Sequence, residues 1–181
     1  MKTTVRLLML ALLVARPAVA QTIGDATAQE TALKQLPMID AAGHRLSLQP
    51  QPGQVLIVDF WAHWCPSCIV EMSGYEKLQK DLGPDKIKIV LVSGARDWEQ
   101  DQSYAAAHNI PFPLYVTGQA SSEVIARALR GEVTGNGQVS MSLPIAAIFL
   151  PNGHLLGSAT GERDWGSEEV EKNLRAVAEM K

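Results

Sequence analysis

The chain has 181 residues, 46% of them hydrophobic and 19% charged, with a formal net charge of −3. It is long enough for one domain with its own core, its two cysteines are too few for a disulfide scaffold, and it carries no basic patch for nucleic acid. The first twenty residues read as an export leader: Lys2 and Arg6, an apolar run from Leu7 to Ala15, then Ala18-Val-Ala20 as a small-residue processing site. That run is shorter than the roughly 20 residues needed to span a bilayer. Residues 1–20 are therefore read as a signal peptide cleaved after Ala20, with a retained membrane anchor as the alternative. Loss of Lys2, Arg6 and Arg16 would leave a formal charge of about −6, on a protein delivered to an oxidising compartment.

Residues 21–36 are polar and weakly patterned, which predicts a flexible N-terminal tail or a loosely docked segment, and the domain proper occupies 37–181. Met38 to Leu48, with Gly43 at its middle, predicts a small β-hairpin ended by Pro50 and Pro52. Val55 to Trp61 is apolar except for Asp59, the pattern of a strand covered on both faces. Ile69, Met72, Tyr75, Leu78 and Leu82 then recur at helical spacing until Gly83-Pro84. Ile87 to Ser93 predicts the next strand, and 97–108 a helix stopped by Asn109, which together make a βαβ unit. Pro111 and Pro113 predict an edge or irregular strand over 112–116. Ser122 is placed to cap a short helix through Arg130, and Gly131 to Gly137 reads as a loop. Ile145 to Leu150 and His154 to Ser158, joined by Pro151-Asn-Gly153, predict an antiparallel hairpin at the end of a mixed sheet. Ser167 opens an amphipathic closing helix, with Glu168 and Glu169 at its positive dipole end.

Both cysteines lie in Asp59-Phe-Trp-Ala-His-Trp-Cys-Pro-Ser-Cys68, at the junction of the first long strand and its helix. A bridge closing so small a loop restrains the unfolded chain little, so the pair is badly placed for stability and well placed for exchange. Positions three apart on a helix share a face at a separation that a disulfide tolerates. Cys65, at the first turn, meets unsatisfied N–H groups and the positive dipole end, which favour thiolate, and Trp64 leaves it partly exposed. Cys68, one turn further in, is more buried. This asymmetry makes Cys65 the attacking sulfur and Cys68 the resolving one. A plain stabilising disulfide is one alternative and a metal site the other, the latter disfavoured because a structural zinc site needs about four ligands and His44, His63, His108 and His154 show no ligand spacing.

The strand, the Trp-Cys-Pro-Ser-Cys turn, the helix and the later proline-led strand resemble the thioredoxin superfamily. With the leader, Glu71-Met72 and Gly161-Glu-Arg-Asp-Trp165, they resemble in particular the TlpA/ResA-like thiol-disulfide oxidoreductases of bacterial envelopes, over residues 37–181. The resemblance implies an α/β thioredoxin-like fold, a central mixed sheet flanked by helices, here with the N-terminal hairpin as an extension. It implies a cis peptide before Pro144, with the Leu143 backbone offered to an extended substrate beside Trp64, against the alternative of an ordinary trans proline. Asp59 takes the place of a buried carboxylate under the second cysteine, where a raised pKa suits proton exchange with Cys68; the alternative is a carboxylate satisfied by backbone donors. Glu71 takes the place of a glutamate kept near the cysteines, against a solvated surface role.

Two positions depart from the family pattern. Ser73 stands where relatives have a helix-bending proline, and Ser73-Gly74 permits a bend without forcing one. His63 would favour the Cys65 thiolate if its ring turned that way, and otherwise faces solvent. Pro66 and Ser67, the variable pair of the motif, carry no charge. The implied activity is periplasmic protein-disulfide reduction in specific clients of the cytochrome c maturation or copper-site assembly type. Its cofactor is nothing beyond the redox-active Cys65/Cys68 couple, and its partners are disulfide or dithiol clients and a membrane thiol electron donor. The expected protein is a monomer that binds neither metal nor nucleic acid. A dithiol oxidase is one alternative, favoured by His63, and a non-enzymatic Cu(I) metallochaperone is another.

Overall fold

The computed structural model describes residues 18–179. The expected leader up to residue 17 lies outside the described residues, and helix α1 (Ala18–Gln35) runs across the processing point expected after Ala20. The strands are β1 (Met38–Ile39), β2 (Val55–Trp61), β3 (Ile87–Ser93), β4 (Leu114–Thr117), β5 (Glu132–Val133), β6 (Val139–Ser140), β7 (Ile145–Phe149) and β8 (Leu155–Thr160). The remaining helices are α2 (Pro66–Leu82), α3 (Trp98–Ala107), α4 (Ser122–Ala128) and α5 (Glu168–Ala178). Six strands form one mixed sheet in the order β1-β4-β3-β2-β7-β8. β2, β3 and β4 run parallel, while β1, β7 and β8 are antiparallel to their neighbours. This is the fold class that the sequence predicts.

β2 occupies the middle of the sheet because both of its faces are apolar, and every residue in it is buried. Side chains alternate along a strand. Val55, Ile57 and Trp61 therefore join the core made with α2, α3 and α5, while Leu56, Val58 and Phe60 join the core made with α1 and α4. Asp59 falls on the first of these faces, the one that α2 covers.

Four predicted elements differ. The segment read as a tail is the C-terminal part of α1: Ala32, Leu33 and Leu36 are buried, and the Gln29 amide donates to the Ala128 carbonyl at 3.0 Å while its oxygen accepts from Ser158 Oγ at 3.0 Å. Its few apolar residues cluster on one face, too few to show as a periodic pattern, and the polar contacts reach elements more than ninety positions away. The N-terminal hairpin is reduced to a turn closed by one bridge, Ile39 to Arg45, while β1 also pairs with β4. That pairing also makes β4 an interior strand rather than an edge; it begins after Pro113, which keeps the missing N–H out of the ladder.

The presumed loop 131–137 is the first half of a β5–β6 hairpin that forms its own two-stranded sheet. Gly131 is required there, because a Cβ would lie 2.6 Å from the Ser140 carbonyl oxygen across the hairpin. Ser121, not Ser122, caps α4 by accepting from Val124 N–H, and Ser122 Oγ instead donates to the Gly137 carbonyl at 2.6 Å, holding the hairpin turn against the helix.

Candidate active site

Cys65 is the N-cap of α2 and Pro66 its first residue, which fixes the thiol turn at the positive end of a 17-residue helix. Cys65 and Cys68 are joined by a disulfide with 5.3 Å between their Cα atoms. The Cys68 N–H donates to Cys65 Sγ at 3.2 Å, the kind of donor that steadies a thiolate once the bond opens. Cys65 is 5% exposed and Cys68 is fully buried, so the difference in access runs in the predicted direction, although Cys65 is more covered than the sequence suggests. Trp64 stands beside them with about half its surface free.

Cys65 opens into a groove of about 1220 Å³ whose walls come from distant parts of the chain: Trp64 to Ser67, the loops 94–97 and 117–120, Ile125 of α4 with Leu129 at its C-terminal cap, and 139–143. The Leu143–Pro144 peptide is cis, and Leu143 lines the groove. Met141, also exposed, adds an apolar side chain to the lining, so the groove combines a sulfur at its floor with apolar walls. Such a surface suits an extended peptide carrying a disulfide.

Behind the cysteines lie acids. Asp59 has no solvent exposure, and burial, then the charge of Glu71, hold its carboxyl well above the usual range while Tyr75 pulls it down. Glu71, read as sharing the Cys68 face, is buried at 2% exposure rather than solvated. Its Oε1 accepts from the Arg163 N–H at 2.7 Å. Burial raises its pKa to about 7, against the lowering influence of Arg163 and the Trp165 indole. The site therefore holds two buried carboxyl groups whose pKa values burial raises, that of Glu71 to about 7. Sequence reasoning missed the residues that enclose them. Tyr75 and Trp165 stack at 5.1 Å between ring centroids and Phe112 meets Tyr75 edge-on at 6.1 Å. The available signal was Tyr75 at the helical spacing of α2 with Trp165 in the closing motif, which does not say that they meet.

His63 is placed differently from the role considered for it. Its backbone N–H donates to Asp101 Oδ1 at 2.7 Å and its Nδ1 lies 2.7 Å from the same oxygen, so the ring is held by α3 next to Tyr104. Among the described residues no hydrogen bond joins it to either sulfur. Asp101, fully buried, is the residue that decides this, and one acidic residue in a polar helix gave no sign of it.

The AhpC/TSA family model matches residues 23–154. The chain is 35% identical over 78 residues to the thioredoxin-like protein YneN of Bacillus subtilis, covering 41% of this chain and 45% of that protein. It is 28% identical over 68 residues to the sporulation thiol-disulfide oxidoreductase A of Bacillus subtilis, covering 36% and 41%. The chain thus spans less than half the length of these two relatives. Among solved structures, the thioredoxin domain of a thiol-disulfide oxidoreductase from Bacteroides vulgatus is similar in fold, with a TM-score of 0.59 and 19% identity over 77% of this chain and 91% of that one.

Proposed function

Because the chain belongs to the AhpC/TSA family, and within the thioredoxin superfamily to its TlpA/ResA-like members, we propose that it is a periplasmic thiol-disulfide oxidoreductase that reduces disulfides in specific envelope proteins. The observation that carries this is the Cys65–Cys68 bond at the N-terminus of α2, open to a groove at Cys65 and backed by two buried carboxyls, Asp59 and Glu71. In the reduced protein, Cys65 thiolate attacks a client disulfide and forms a mixed disulfide. Cys68 then attacks Cys65, releases the client as a dithiol and restores the internal bond. A membrane thiol donor returns the two electrons.

The clients proposed are of the cytochrome c maturation or copper-site assembly type, on the resemblance to the TlpA/ResA-like proteins alone. The opposite direction of flow loses its main support, since the His63 ring is bonded to Asp101 rather than turned to Cys65. Replacing Cys68 with Ser should trap clients on Cys65 as mixed disulfides, recovered from the periplasm and released by dithiothreitol. Absence of any covalent adduct in that compartment would exclude the mechanism. The potential of the Cys65/Cys68 couple fixes the direction: a value near or below about −270 mV supports reduction, and one near about −120 mV reverses it.

A further inference from the structure

Among the described residues, the buried side-chain polar atoms that lack a hydrogen-bond partner gather mainly in one place. They are both carboxyl oxygens of Asp59, Glu71 Oε2, the Tyr75 hydroxyl and Trp165 Nε1. Each such atom costs stability, and native interiors leave few. A leucine or phenylalanine at position 75 would fill the inner face of α2 without that cost, so the hydroxyl itself needs a reason.

Its position supplies one. Tyr75 is four residues after Glu71 and seven after Cys68, and helical side chains lean toward the N-terminus. Tyr75 is fully buried on the inner face of α2, the helix that covers Asp59 of β2, and the charges of Asp59 and Glu71 both bear on its phenol. The three groups face one another without meeting hydrogen-bond geometry in the oxidised protein. Glu71 is the member nearest the surface, since the segment bonded to it, Glu162 to Asp164, is exposed. The titratable and charged groups facing the cluster from its surroundings are Cys68 on α2 and Glu162 and Arg163 before α5.

Resting on the exchange reading above, we propose that the Tyr75 hydroxyl is a proton relay between Asp59 and Glu71, serving the step in which Cys68 resolves the mixed disulfide. Asp59 gives its proton to the Tyr75 oxygen as the Tyr75 hydroxyl proton passes to the ionised Glu71. The phenol ends neutral, as its burial requires. The Asp59 carboxylate then takes the proton of the Cys68 thiol. The Cys68 thiolate attacks the Cys65 sulfur and forms the Cys65–Cys68 bond. The Cys65–client bond breaks, and the client sulfur leaves with the bonding pair and takes a proton from solvent. Glu71 returns its proton to solvent, so the number of protons is conserved.

The test uses the full chain, reduced and then reacted with oxidised glutathione to load glutathione on Cys65, and follows glutathione release against pH. Tyr75→Phe keeps both ring contacts and removes only the hydroxyl. It should slow release on the order of tenfold. Glu71→Gln should change the pH profile in the native background and change nothing further in the Tyr75→Phe background. An unchanged rate and profile in Tyr75→Phe, or an equal effect of Glu71→Gln in both backgrounds, overturns the relay. Failure of native Cys65 to take up glutathione at all overturns the exchange reading, and the relay with it. Should Tyr75→Phe not fold, the infrared C–O stretch of tyrosine in the native protein decides. It should shift as the carboxyls titrate and lose that shift in Glu71→Gln; a stretch indifferent to the titration overturns the proposal.

Discussion

At Glu71 the same chemistry that serves the reaction works against the fold. Its carboxyl titrates near 7 in the folded chain against 4.5 as the ordinary value, so between those limits the native state keeps a proton that the unfolded chain has released. Stability from this group is fully present below about 4.5 and is lost as pH rises to about 7. Asp59, also raised by burial and by the charge of Glu71, contributes with the same sign. Urea midpoints should therefore fall as pH is raised through the neutral range, and Glu71→Gln should flatten that fall while leaving stability in mild acid nearly unchanged. A midpoint that rises over the same range would show that the carboxyl is ionised without penalty. Asp59 was legible at this scale, because one carboxylate inside an apolar strand is an anomaly that one strand suffices to reveal. The partner of His63 was not, because Asp101 lies 38 positions away on another helix.

At the scale of elements, α2 and the segment before α5 depend on two glycines that touch. A Cβ on Gly74 would lie 3.1 Å from the Gly166 N and 3.3 Å from the Trp165 Cβ, and Gly166 in turn lies against Gly74. This contact is what allows Trp165 to reach Tyr75 and Glu71. Alanine in a helix interior normally gains about 0.5–1 kcal/mol over glycine. Gly74→Ala should do the reverse, costing about 1–3 kcal/mol because it overpacks this contact, and should also lower the exchange rate by displacing Trp165. Thermal melts and glutathione exchange on the same variant would test both parts. Ser73-Gly74 thus serves close packing, a use that a reading of the helix alone, looking for a bend, does not reveal.

At the scale of the molecule, the groove is assembled from five separate stretches of chain and cannot exist in any of them alone. The β5–β6 hairpin contributes Val139 and Ser140 to its wall and is tied to α4 through Ser122. Replacing residues 132–140 by a short Gly-Ser turn should reduce activity on a disulfide peptide with apolar flanks by about tenfold, or 1.4 kcal/mol. Reaction with oxidised glutathione, which is too small to span the wall, should fall much less. Equal losses on the two substrates would mean that the hairpin supports the fold and not selection.

The sequence by itself determined the long strands, the helices that follow them, the disulfide turn and the buried carboxylate, because each rests on a local pattern: alternation, helical period, a capping residue, or a charge out of place. Tertiary structure alone decided that the polar stretch before Pro37 docks as a helix, that β1 covers β4, that 131–140 folds into a hairpin, that His63 turns to Asp101, and that Tyr75 and Trp165 close over Glu71. The reason is physical. Those features are fixed by contacts between residues tens of positions apart, whose burial and pairing energies have no counterpart in the sequence around either partner.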